Sequence, residues 1–365
     1  MHLAFNGWPL ARGGEPEGAL HLTDLLERLP ALAPQHRYTL LLPSGGPSMS
    51  YPGVAVGLVP AGYGEWARLW FEQRRFPRQA ASRKADLLYY PYPAAPTASP
   101  TPVAAWHGCG EARLLQRRPL GRLRATLGIA GLSGAAAEIF IGLGGSSDGA
   151  ARRRTVPPMA PRAFDPAEQK EDYERRARYD LPSSYVLADG AGLEEIEFLL
   201  AGWTWVDSAM GDSISLVVLS RSWPTTSLVR SRAMALDLDL SVRAVERVKS
   251  EDLPAVYRGA EAFLFGGWGH GREAVCRALA CGLAIVGIES PEAAILLGPA
   301  AYLVPALDAR RLGAACLTVL VEPDVRERLR SRAREQGAPL RADGPLRALL
   351  GHLESIVERQ AKPRL

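Results

Sequence analysis

Ser250-Glu251-Asp252-Leu253-Pro254 leads into Tyr257-Arg258-Gly259-Ala260, then Phe263-Leu264-Phe265, and after a glycine-rich stretch Arg277-Ala278-Leu279-Ala280-Cys281-Gly282. Ser250 or Asp252 is placed to cap a helix. Phe263–Phe265 is a short apolar strand, and Trp268-Gly269-His270-Gly271-Arg272 reads as a loop at the N-terminus of a further helix. The unit is helix, strand, helix, which belongs to α/β folds.

The same alternation runs outward in both directions. Leu3 to Asn6 and Tyr38 to Leu42 are apolar runs on either side of a helical spacing from Ala19 to Leu32. Val54–Val59, a helix over Trp66–Phe76, Leu87–Tyr90, Val103–Trp106 and Ile139–Ile141 continue it. A cluster of Pro157, Pro158, Pro161 and Pro166 marks a linker. Beyond it the pattern restarts with a helix to Arg178, strands at Tyr185–Leu187, Ser215–Leu219 and Leu240–Val245, and helices at Leu193–Val206 and Thr226–Ala235. Ala301–Val304 precedes three helical spacings, Ala309–Val321, Asp324–Glu335 and Leu346–Glu358. Alternating strands and helices predict mostly parallel sheets in two similar domains, residues 1–160 and 161–345, with 346–365 as a terminal helix.

A chain of 365 residues, 47% hydrophobic and 22% charged, suits two ordinary cores. The formal charge of +4 is mild, with only Arg152-Arg153-Arg154 forming a basic run, so no nucleic-acid partner is expected. No apolar run approaches the ~18 residues of a spanning helix, and the first residues lack a signal-peptide pattern, giving a cytoplasmic expectation with no integral membrane segment. The four cysteines, Cys109, Cys276, Cys281 and Cys316, have no C-x-x-C spacing, so neither zinc nor disulfides are expected; they read as reduced, mostly buried thiols.

These stretches, with Met1–Leu10, Ala85-Asp86-Leu87-Leu88-Tyr89, His107, Pro157-Pro158 and Tyr179-Asp180-Leu181-Pro182, together resemble the family 4 retaining glycosyltransferases. The resemblance implies a GT-B fold: two Rossmann-like domains facing a cleft, an acceptor side and a nucleotide-sugar side, and a last helix crossing back to the first domain. It implies a nucleotide-sugar donor and no metal or other cofactor. In such folds strand ends and helix N-termini present free N–H groups and positive dipole ends to a diphosphate.

The family's polar signature is altered here. Counting back from Ala280-Cys281-Gly282, its two donor-binding Glu positions fall on Gly269 and Arg277, neither able to accept hydrogen bonds as a carboxylate does. Its diphosphate-binding Lys falls near Glu194, in the run Glu194-Glu195-Ile196-Glu197, and the chain's lysines are Lys84, Lys170, Lys249 and Lys362. The glycine-rich first loop keeps Gly13-Gly14, and His-Asp becomes His107-Gly108. Each charge-assisted contact is worth roughly 1.5 to 3 kcal/mol, so losing three or four weakens donor binding by about 5 kcal/mol or more.

The remaining candidates have both a binding and a structural account. His107 faces the donor sugar by resemblance, or simply ends its strand. Gly190, His270, Gly271, Arg272, Glu273 and Arg277 line the donor side. Arg272 with Arg277 suits a phosphate clamp, while Arg277 with Glu273 suits a surface ion pair. Arg221 follows a strand and points to phosphate or solvent; Lys249 precedes the capped helix near the family's base-binding loop. Gly142–Ser147 lacks the Lys of a phosphate loop and reads as a turn. Two functions are expected from this pattern: a weak or atypical nucleotide-sugar transferase, or a noncatalytic pseudoenzyme serving as a binding or assembly subunit, with an active glycosyltransferase as its partner. An Arg-lined site for another phosphorylated ligand is the third.

Overall fold

The computed structural model describes residues 1–12, 16–46, 48–107, 119–142, 152–189, 193–220, 223–305 and 308–361. The chain forms two compact units, Met1–Pro158 with Asp343–Leu365, and Met159–Ala342.

The first unit runs β1 (His2–Asn6), α1 (Trp8–Arg12), α2 (Pro16–Leu32), β2 (Arg37–Pro43), β3 (Val54–Val59), α3 (Gly64–Trp70), a π-helical turn (Phe71–Arg75), α4 (Phe76–Ser82), β4 (Leu87–Tyr90), β5 (Val103–His107), α5 (Pro119–Leu132), β6 (Ala137–Ile141) and β7 (Arg153–Val156). Among the described residues the strands form one parallel sheet, β3-β2-β1-β4-β5-β6-β7. Every residue of β1 and β4 is buried, because crossover helices cover both faces of a parallel sheet. The edge strand β3 alternates instead. The helix expected over Trp66–Phe76 is longer, Gly64 to Ser82, with a π turn at its centre. The Arg152–Arg154 run supplies part of edge strand β7, where outward side chains reach water and basic residues are tolerated.

The second unit runs α6 (Asp172–Ala177), β8 (Tyr185–Asp189), α7 (Leu193–Met210), β9 (Ser215–Ser220), α8 (Trp223–Ala235), β10 (Val242–Glu246), α9 (Leu253–Arg258), β11 (Ala262–Phe265), α10 (Trp268–Ala280), β12 (Ala284–Ile288), α11 (Pro291–Leu297), β13 (Ala301–Val304), α12 (Ala309–Val321) and α13 (Pro323–Arg341). Its parallel sheet has the order β10-β9-β8-β11-β12-β13. One core collects Val186, Leu199, Trp203, Leu216, Leu264 and Val286 from strands and α7.

The last helix, α14 (Asp343–Ala361), packs in the first unit on α2 and β7. Arg28, buried in α2, bridges Asp24 at 2.8 Å and Asp343 at 2.9 Å; His36 meets Glu354 at 2.7 Å, and His352 Nε2 lies 3.0 Å from the Thr155 carbonyl oxygen. The fold class expected from the sequence is therefore observed: two Rossmann-like units and a terminal helix returning to the first. Among the described residues no helix is long and apolar enough to cross a membrane.

Close helix contacts place α10, which carries most of the candidate site. Gly337 of α13 lies on the backbone of α10: a Cβ there would collide with the Leu279 carbonyl oxygen and come within 2.8 Å of the Ala280 Cα. Backbone cannot yield as a side chain can. Gly337→Ala is expected to destabilise the chain by about 1 to 3 kcal/mol in urea unfolding through overpacking. Gly344→Ala is the control: it lies in α14 where a Cβ meets nothing within 4 Å, and it is expected to be neutral or slightly stabilising.

Candidate functional site

In the second unit the sheet order reverses between β8 and β11, and ligands of doubly wound sheets gather where strands end at such a switch point. β8 ends at Asp189. β11 ends at Phe265 and passes through Gly266 and Gly267 into α10, whose N-terminal N–H groups have no helical partners. The stretch Trp268–Arg272, expected as a loop, already forms the first turns of that helix.

Arg277, one of the two positions where the resemblance calls for a carboxylate, lies inside the unit at 3% side-chain exposure. A guanidinium so far out of water is costly unless paired and hydrogen-bonded. Its Nη2 donates to Glu273 Oε2 at 2.9 Å one turn earlier on α10, its Nη1 reaches Asp189 Oδ2 at 3.4 Å at the end of β8, and its carbon lies 5.7 Å from the centre of the Phe164 ring. The same Asp189 oxygen accepts from Tyr257 Oη of α9 at 2.6 Å. Arg277 and Glu273 do pair, but as a buried pair rather than the surface pair expected, because Asp189 and Tyr257 close the polar cluster around them. Three elements thus meet through one cation.

A second charge sits at the start of α10. A Cβ on Gly267 would collide with the Glu195 carboxylate, and one on Gly266 would come within 3.1 Å of the Glu195 carbonyl oxygen. Glu195 of α7 therefore holds its carboxylate against the backbone just ahead of α10, where the helix dipole is positive. Nearby, Asp172 of α6 is wholly buried and Arg258 grips it with two bonds of 2.6 and 2.7 Å while also reaching the Ala163 carbonyl oxygen at 2.9 Å. Burial pushes the Asp172 carboxyl up, but Arg258 pulls it further down, so it lies below the usual range. Cys276 is buried and pushed up to about 12 by desolvation, which makes it an inert thiol.

Other sequence candidates are more dispersed. Arg272 is half-buried on α10. Lys249 is exposed, with Nζ 3.9 Å from Glu251, and its backbone N–H donates to Tyr179 Oη at 2.9 Å. The helix expected from Ser250 begins at Leu253, and Asp252 makes no capping bond with its side chain. Its buried carboxylate instead accepts from Arg178 at 3.0 Å and Tyr179 at 2.7 Å. In the first unit His107 ends β5, with Nε2 3.1 Å from Glu138 Oε2 and its ring stacked on Phe140 at 4.4 Å. Glu194 lies in the first turn of α7, and Gly269, His270 and Gly271 lie in the first turn of α10. Gly13, Gly14, Gly190, Arg221 and the stretch from Leu143 to Ser147 lie outside the described residues.

The sequence had not singled out Asp189, and it had offered Tyr257 only as part of a helix and Glu195 only within the acidic run Glu194–Glu197. A signal for Asp189 existed: a lone acid closing the apolar run Tyr185-Val186-Leu187-Ala188. Also unforeseen is a buried network at the β1/β4 switch of the first unit. Asn6 donates to Tyr92 Oη at 2.8 Å, Tyr92 donates to Glu72 Oε1 at 2.8 Å, and Arg68 Nε donates to the same oxygen at 2.7 Å. Burial raises the Glu72 carboxyl, and Arg68 and Arg124 more than reverse that, leaving it below the usual range.

Arg277→Ala leaves Asp189 and Glu273 buried without their cation and is expected to cost about 3 to 5 kcal/mol in chemical unfolding. Arg277→Met combined with Asp189→Asn and Glu273→Gln removes the charges together and is expected to recover most of that loss. Equal instability of the single and triple variants would show that packing, not charge, holds the cluster.

No protein-family model matches this chain, and no curated protein does. Solved structures do. Sucrose-phosphate synthase from Thermosynechococcus elongatus is similar over 99% of this chain and 100% of its own, with a TM-score of 0.67 and 17% identity. WaaG, a glycosyltransferase involved in lipopolysaccharide biosynthesis, is similar over 95% and 98%, with a TM-score of 0.64 and 12% identity. HepE from Anabaena, solved with UDP and glucose, is similar over 97% and 98%, with a TM-score of 0.60 and 12% identity. At these identities the likeness shows the fold, which is GT-B.

Proposed function

We propose that this chain is a glycosyltransferase-like protein in which internal ion pairs have replaced the charges that grip an activated sugar, making it a weak or atypical nucleotide-sugar transferase at best. The observation that carries this is Arg277: where the resemblance calls for an acceptor of sugar hydroxyl hydrogen bonds, a buried cation is already paired with Glu273 and Asp189. The GT-B fold, shared with HepE solved in complex with UDP-glucose, supports a nucleotide sugar as the ligand class. Fold likeness does not carry activity, which lives in the site.

Glu195 works in the same direction. A helix N-terminus attracts anions, and the one at α10 already has an internal carboxylate beside it, so a diphosphate arriving there meets a like charge. Within the second unit the backbone N–H groups at the start of α10 and Arg272 are the groups proposed for an unusual donor, with Gly269, Gly271 and Lys249 as further donor-side positions; His107, in the first unit, is a separate candidate. No step here calls for a metal. A second reading, a noncatalytic subunit that binds or assembles beside an active glycosyltransferase, is favoured by the self-satisfied Asp189–Arg277–Glu273 cluster. The charges of that cluster answer one another whether or not a ligand ever binds.

Calorimetric titration with a panel of nucleotide sugars is expected to give millimolar affinities or none, and product assays to give little or no transfer. Micromolar binding with efficient transfer would overturn the proposal. Millimolar binding with slow transfer selects the atypical enzyme, and neither binding nor transfer selects the noncatalytic subunit.

Glu195→Gln removes a negative charge from the start of α10 while keeping its shape. It is expected to strengthen UDP binding severalfold at low salt, an effect that fades as salt rises. Unchanged or weaker binding would mean that the diphosphate does not approach this helix end.

A further inference from the structure

A cavity of about 420 Å³ opens at one edge of the second unit, where β10 is the last strand of the sheet among the described residues. The end of α8 forms one wall with Arg230, Ala233 and Met234, which share a face of that helix at spacings of three and four residues. Val242 and Ala244 of β10 line it next, and Tyr179 and Asp180, just after α6, close the other side. Ala233 and Val242 are buried and make an apolar base. Two aspartates in the left-handed region bend the chain around this space, Asp180 at φ 47° and Asp237 at φ 56°, the latter two residues ahead of Asp239.

The charges of the cavity are divided. Arg243 Nη1 and Asp180 Oδ2 lie 3.6 Å apart, so each of these two groups is already answered. Arg230 and Asp239 line the same cavity, and among the described residues neither side chain makes an ion pair or a hydrogen bond, with the other or with any other group. Tyr179 has its hydroxyl committed: it donates to Asp252 Oδ2 at 2.7 Å and accepts from the Lys249 N–H at 2.9 Å, which leaves its ring for the cavity. An apolar base and an aromatic wall therefore stand between a free cation and a free anion that are too far apart to pair.

We propose that this cavity binds a small zwitterion of the α-amino acid class, its carboxylate on Arg230, its ammonium on Asp239 and an apolar side chain on Ala233, Val242 and the Tyr179 ring. Arg offers a carboxylate two parallel N–H groups, and an ammonium, which only donates, needs an anion to accept. A phosphate or other pure anion meets Asp239, and a pure cation meets Arg230; a ligand carrying both signs answers both. The volume is in the usual range of small-ligand sites. The cavity is at the β10 edge, whereas the donor-side candidates gather where β8 and β11 end, so the inference does not rest on the function proposed above.

Titration calorimetry of the full chain with L-phenylalanine tests this, beside N-acetyl-L-phenylalanine, which lacks the ammonium, and L-phenylalaninamide, which lacks the carboxylate, at mildly acidic pH where the amide stays protonated. The free amino acid is expected to bind, and each blocked form to bind about three- to fivefold more weakly, the worth of an exposed ion pair. Arg230→Gln is expected to weaken the free and acetylated forms by that factor and to leave the amide unchanged. Asp239→Asn is expected to weaken the free form and the amide and to leave the acetylated form unchanged. Both side chains are exposed, and circular dichroism checks that the variants fold. Arg332→Gln, at an exposed arginine of α13, is the control for net charge and should change nothing. No binding of the free amino acid, equal affinity for all three ligands, or binding that neither variant alters overturns the proposal. So does tighter binding of a peptide blocked at both ends, since the edge of β10 would then be pairing with a strand.

Discussion

A guanidinium taken almost wholly out of water is the constraint around which the second unit is arranged. Arg277 loses hydration worth several kcal/mol, and only close, hydrogen-bonded anions offset that. Glu273 is one turn away on the same helix and comes with it automatically. Asp189 does not: it must be delivered by the end of β8, 88 residues earlier in sequence, and Tyr257 of α9 must hold its oxygen. The register of β8 beside β11 is therefore coupled to one side chain.

The first unit uses the same device elsewhere. Glu72 lies wholly buried between Arg68, Tyr92 and Arg124, and it pins the α3–α4 run to the end of β1 through Asn6. A π turn falls at that residue. The wider turn brings the Glu72 carboxylate and its carbonyl oxygen to two tyrosines at once, and such turns recur at sites that need an unusual side-chain direction. The opposite face of the run is left to solvent, with Trp66 and Trp70 exposed on it.

Much of the fold was legible because parallel strands are buried on both faces and read as unbroken apolar runs: Leu3–Asn6, Leu87–Tyr90, Phe263–Phe265. Strands at edges were less so. Arg153–Val156 pairs on one side alone and keeps polar residues that hide it. Helix ends drifted where tertiary packing overrode local signals: Pro339 lies within α13, and Asp252 spends its carboxylate on Arg178 and Tyr179 rather than on a cap. Of the ion-pair partners of Arg277, the sequence offered Glu273, one turn away on the same helix, and not Asp189. Nothing local to Arg277 names Asp189, and spacing along a chain carries no information about which charge lies across a sheet.

That separation bears on what a substitution at 277 can do. With the carboxylate in place at 277, Asp189 and Glu273 would both repel it inside a low-dielectric pocket, so the acid there and the present pair exclude each other. An acid introduced at 277 would therefore have to replace the ion pairs that Arg277 makes with Glu273 and Asp189 before its oxygens could serve anything else. Packing and charge inside the second unit fix the identity of this side chain, and they do so independently of any ligand.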